Sequence, residues 1–112
     1  MWRVAWGPPL RPINLSLGRI NETRRNEEGF IVNRGISFSF AAPRLLLEIP
    51  TNTDEMRVRA LKLARQWRLE TRRMFQRAFE SGCRVLDFVT TGTGGDTRAF
   101  YVLSRARAGR PT

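Results

Sequence analysis

Two hydrophobic periods alternate along this chain, one of two residues and one near 3.6. Ile36-Ser37-Phe38-Ser39-Phe40 alternates strictly, which sets Ile36, Phe38 and Phe40 on one face of a strand and the serines on the other. Phe30-Ile31-Val32 predicts a short strand before it, with Asn33-Arg34-Gly35 as the turn between them. Beyond Pro43, Leu45-Leu46-Leu47 is a continuous apolar run, the pattern of a strand covered on both faces.

The period then lengthens. Pro50-Thr51-Asn52-Thr53 stops the strand and opens a helix; Asn52 with Glu55, or Thr51 with Asp54, has the spacing of a capping box. Asp54 and Glu55 suit the positive end of the helix dipole. At 100° per residue, Met56, Ala60, Ala64, Trp67, Thr71, Met74, Phe75 and Ala78 fall in one stripe, flanked by Leu61 and Phe79. Lys62, Gln66, Leu69, Arg73 and Gln76 lie opposite, and Glu55 to Arg59 is an i,i+4 ion pair in the favourable order. The spacing continues to about Ser81, where Gly82 supplies a C-terminal stop. Val85-Leu86-Asp87-Phe88-Val89 and Arg98-Ala99-Phe100-Tyr101-Val102-Leu103 return as strands. The loop between them carries Gly92, Gly94 and Gly95, which predicts an antiparallel hairpin.

The expected fold class is α+β: a small mixed sheet of ββαββ order, with one long amphipathic helix packed on one face as a right-handed crossover. Residues 1–29 are expected to be an irregular N-terminal segment. Pro8, Pro9 and Pro12 punctuate its start, Leu15 and Leu17 alternate briefly, and the polar stretch Asn21 to Gly29 predicts a loop or one helical turn. Residues 30–104 form the α+β module, and 105–112 a flexible basic tail. With a helix on one face only, the other face or a sheet edge is left for a partner, including self-association through that edge.

Composition then narrows the chemistry. The chain has 112 residues, one domain or a piece of one, with 41% apolar residues, enough for a modest core. No run of about 18 apolar residues exists, so no membrane span is expected, and the short apolar start does not fit a signal peptide. The expected location is cytoplasmic. Cys83 is the only cysteine and there is no histidine, which excludes an internal disulfide and any Ser–His or Cys–His pair within the chain, and argues against a zinc site. The net charge is +10, and of the twenty basic residues only Lys62 is not arginine. Such charge permits nucleic-acid binding through phosphate neutralisation. A GC-rich genome produces the same arginine bias, and the arginines form no dense block.

Several residues are candidates for chemistry. Arg68 and Arg72 stand one helical turn apart beside Trp67, an arrangement that can hold a carboxylate or phosphate; structurally, such residues cover the tryptophan and pair with an acid. The Thr91-Gly92-Thr93-Gly94-Gly95-Asp96 loop has the composition of a phosphate cradle, but a strand follows it, not a helix. Glu48 and Asp87 fall in two strands expected to be neighbours, and each can meet an arginine from the helix. Tyr101 is the only tyrosine and is expected to be packed. Cys83 follows the helix stop and is expected to behave as a small buried apolar residue.

Residues 44–103 resemble the C-terminal part of a group of GNAT-superfamily acyltransferases. In that group an "LVEIP" strand precedes a helix with "WRxxTR", then a "GYRVxDF" strand and a final "YVL" strand. Here these positions read Leu46-Leu47-Glu48-Ile49-Pro50, Trp67-Arg68-Leu69-Glu70-Thr71-Arg72, Gly82-Cys83-Arg84-Val85-Leu86-Asp87-Phe88 and Tyr101-Val102-Leu103. Cys83 replaces the usual tyrosine. The strand–R/Q-x-x-G-x-G/A–helix element that binds acetyl-CoA is absent, so no cofactor residue carries over. The resemblance implies a C-terminal, fold-completing or acceptor-side module that meets acetyl-CoA only with an N-terminal half. A basic nucleic-acid-binding module and a non-functional gene fragment are the alternative readings.

Overall fold

The computed structural model describes residues 18–39, 42–92 and 97–105. Within them the fold is α+β. Strands β1 (Gly18–Arg19), β2 (Asn21–Arg25), β3 (Ile31–Ile36) and β4 (Arg44–Ile49) precede helices α1 (Thr53–Arg59) and α2 (Leu61–Glu80); β5 (Cys83–Thr91) and β6 (Arg98–Arg105) follow. The main sheet has the order β1-β4-β6-β5, and β2 with β3 forms a separate antiparallel ribbon. β6 lies between β4 and β5 and is antiparallel to both. The helices therefore cross between two parallel strands that do not touch.

The helical stripe is the core-facing side. Met56, Trp67, Met74 and Ala78 are buried against Leu45, Leu47, Leu103 and Cys83 of the main sheet, and Ile20, Phe30 and Ile31 close the cluster from the N-terminal side. The opposite positions, Lys62, Gln66, Leu69, Arg73 and Gln76, are exposed. Leu45, Leu46 and Leu47 are at most 2% exposed, so β4 is covered on both faces as its unbroken apolar run predicts. Gly82 adopts a φ of +92°, the left-handed turn that ends α2, and its amide donates to the Phe79 carbonyl at 3.0 Å.

Several local expectations are corrected. The stretch from Asn21 is not a loop or helical turn but strand β2, whose charged residues read as polar because the two-stranded ribbon leaves them in water. Its turn is at Asn26–Gly29, where the Asn26 side chain accepts from the Glu28 and Phe30 amides, both at 2.9 Å, and Gly29 has a φ of +87°. Asn33-Arg34-Gly35 accordingly lies inside β3, and of the strand expected over 36–40 only Ile36, the last residue of β3, is in a strand among the described residues. Phe38 instead packs on the core outside any strand, with the Arg77 guanidinium 4.5 Å from its ring centroid. The remaining described correction is the single helix, which breaks at Ala60 (φ −147°, ψ 62°) without a proline or glycine. Asn52 makes no side-chain cap bond; Asp54 and Glu55 pair with Arg57 and Arg59 instead. The irregular start expected over residues 1–17, the strand position at Phe40 and the tail expected over 106–112 lie outside the described residues.

Met74 is fully buried at the centre of this core. Met74→Ala is expected to cost about 2–5 kcal/mol, read from urea unfolding midpoints with an unchanged slope.

Candidate functional site

A groove of about 460 Å³ opens where β4 ends and the broken helix begins. Its apolar wall comes from Ile49 and Pro50 at the end of β4, Met56 of α1, and Ala64 and Trp67 of α2. Arg57 stands on α1, and Arg68, Thr71 and Arg72 on α2. The α2 positions 64, 67, 68, 71 and 72 follow helical spacing, so one face of the helix supplies them all. The break at Ala60 separates the α1 wall from the α2 wall.

Trp67 is fixed. It is 4% exposed, and its indole Nε1 donates to the Ile31 carbonyl of β3 at 2.7 Å. Met56 is wholly buried beside it. The arginines are not fixed in this way. Arg68 and Arg72 are exposed, and among the described residues neither makes a hydrogen bond or ion pair. The acid nearest in sequence, Glu70, is held by Asn33 Nδ2 at 2.8 Å and Gln66 Nε2 at 3.2 Å. Arg57 pairs with Asp54 at 2.6 Å, with both side chains mostly in water. Among the described residues, the acid partner of a purely structural arginine is thus missing at Arg68 and Arg72. Two free guanidinium groups beside an apolar trough suit a ligand with a carboxylate or phosphate end and an apolar body.

The other candidate residues are placed differently. Glu48 and Asp87 are not neighbours, because β6 separates their strands. Glu48 is fully buried and its arginine partner comes from β6, not from a helix: Arg98 Nε and Nη2 donate to its two oxygens, both at 2.9 Å, and Thr23 Oγ1 adds a third bond at 2.7 Å. That bond raises the Arg98 pKa above its already high ordinary value. Asp87 Oδ1 accepts from the Phe88 amide at 2.8 Å. Tyr101 is packed, with its ring centroid 5.2 Å from Phe75 and 5.0 Å from Phe88. Thr91 pairs with Arg98, so the glycine-rich segment joins two antiparallel strands; residues 93–96 lie outside the described residues. Cys83 is 5% exposed, and burial raises its pKa against the opposing pull of Arg105. Among the described residues no group of acids and cysteine is placed to hold a metal, and no helix is long and apolar enough to cross a membrane.

Asn21 went unnoticed in the sequence, yet it is central here. It is 1% exposed, donates from Nδ2 to the Glu48 carbonyl at 2.9 Å, and accepts the Glu48 amide on Oδ1 at 2.9 Å. One side chain thereby completes the backbone pairing of β4 where the chain turns away. A single buried asparagine beside a charged strand leaves no periodic signal.

No protein-family model matches the chain, and no curated protein or solved structure is significantly similar to it.

Glu48→Gln removes the charge that Arg98 faces and is expected to destabilise by about 2–4 kcal/mol, somewhat below the ~3–5 kcal/mol of a fully buried broken pair because Arg98 keeps some solvent contact. Denaturant titration checks this. For Cys83 the raised pKa fixes a sign: the folded state holds the thiol proton longer than the unfolded state. Its contribution is complete below the ordinary thiol range and is lost as pH rises through it. Unfolding midpoints compared between about pH 7 and about pH 10 are expected to fall more steeply for the native chain than for Cys83→Ala.

Proposed function

We propose that this chain is the acceptor-side, fold-completing module of a GNAT-like acyltransferase, working in the cytoplasm and not transferring an acyl group alone. One observation carries the reading. Trp67, Arg68, Thr71 and Arg72, the specified positions of the "WRxxTR" pattern, all line the groove, and Leu69 and Glu70, its unspecified positions, do not. Ile49 and Pro50, which end the "LVEIP" pattern, line the same groove from the sheet. Two segments that resemble the group in sequence thus meet at one site. Over residues 44–103 the elements run strand, two helices, strand, strand, which is compatible with the strand, helix, strand, strand order of the resemblance once the broken helix is counted as one.

Two further features suit a partner-dependent module. The strand-to-helix connection at Pro50-Thr51-Asn52 has no glycine, so it offers no backbone cradle for a pyrophosphate. β5 is an outer strand of the main sheet, with Val85 and Leu86 40% and 48% exposed. An added strand from an N-terminal half would pair there.

Calorimetry with acetyl-CoA tests the reading: the chain alone is expected to give no saturable heat at micromolar concentrations. Saturable binding would overturn it. The DNA upstream of Met1, read through ~150 codons, is expected to hold an in-frame or adjacent strand–R/Q-x-x-G-x-G/A–helix pattern, and its absence would count against the module.

A further inference from the structure

We infer that the groove between α1, α2 and the end of β4 binds an amphipathic oxyanion, with its carboxylate or phosphate between Arg68 and Arg72 and its apolar body along Ile49 and Ala64. This rests on the reading of the groove as the acceptor side, and it names the ligand class that side would take. Three properties of the site lead to it.

The first is charge without a counter-charge. Arg68 and Arg72 are a turn apart on one helix, both line the groove, and neither has a partner among the described residues. Like charges at i,i+4 repel, so their proximity is destabilising until an anion lies between them. Arg57 adds a third cation on the other wall, only weakly neutralised by the exposed Asp54. Among the described residues no aspartate or glutamate lines the groove, so a cationic ligand finds no partner in them.

The second is the apolar wall. Ile49, Pro50, Met56, Ala64 and Trp67 offer no charge to a ligand, and the one donor among them, the Trp67 indole N–H, is already committed to Ile31. Pro50, Met56 and Trp67 are buried, so the part open to a ligand is that of Ile49 and Ala64, which a small inorganic anion would leave wet. An alkyl or aryl chain attached to the anion covers it and gains affinity from the apolar area.

The third is size and rigidity. At about 460 Å³ the groove lies in the range of small-molecule sites, ~300–1,000 Å³. Its wall is set before binding, because Trp67 and Met56 are locked in the core. Only the arginine side chains have to be ordered.

The test uses four eight-carbon probes against the full chain in calorimetry: octanoate, octyl phosphate, octan-1-ol and octylammonium. Octanoate and octyl phosphate are expected to bind at least about tenfold more tightly than octan-1-ol, from charge-assisted bonds to the guanidinium groups. Octylammonium is expected to be weakest. The stronger of the two anions identifies which oxyanion the site prefers. Arg68→Gln with Arg72→Gln is expected to reduce octanoate to the affinity of the alcohol and leave the alcohol unchanged. Both residues are exposed, so the melting temperature should stay within about 2 °C. Equal binding of anion and alcohol, undiminished octanoate binding by the double variant, or no binding of any probe would overturn the inference. Such a failure stays distinct from failure of the acceptor-side reading, which acetyl-CoA binding and the upstream sequence decide.

Discussion

A carboxylate with no solvent contact, Glu48 in the middle strand β4, is the constraint on which this structure depends. A charge there is tolerated only when it is paired and both of its oxygens are hydrogen-bonded. Arg98 reaches it from β6 with two parallel bonds, and Thr23 reaches it from β2. The amide and carbonyl of the same residue are taken by Asn21. One position thus joins the main sheet, the β2–β3 ribbon and the turn into the helices. It also fixes the next two residues, Ile49 and Pro50, which form the sheet side of the groove.

The helix stripe, the burial of Leu45 to Leu47, the Gly82 stop and the final hairpin were legible in the sequence, because each follows from a local period or a turn residue. The ribbon was not. β2 is held by backbone pairing and carries mostly charged side chains, so no hydrophobic period marks it. The break at Ala60 has no proline or glycine to announce it. Strand order was also hidden: nothing local to β6 says that it inserts between β4 and β5, and so Glu48 was paired in expectation with the wrong elements. Its real partner, Arg98, is fifty residues away in sequence.

The site was partly legible. Arg68, Arg72 and Trp67 stood out by helical spacing, but their freedom from acid partners depends on where Glu70 turns. Glu70 is engaged by Asn33 of the ribbon, the element the sequence concealed. Stability and site are connected at this point, since the ribbon that satisfies Glu48 through Thr23 also draws Glu70 away and anchors Trp67 through Ile31. A folded core with two uncommitted arginines beside an apolar trough is the physical basis for the functional reading.

The proposed ligand site is the groove between α1, α2 and the end of β4. Amide and methyl chemical-shift mapping during an octanoate titration tests it most directly. Perturbations confined to Ile49, Met56, Ala64, Trp67 and Thr71, with a guanidinium shift at Arg68 and Arg72, are the predicted result. Shifts spread over the arginines of β2 or the outer face of β5, with those groove positions silent, would contradict it.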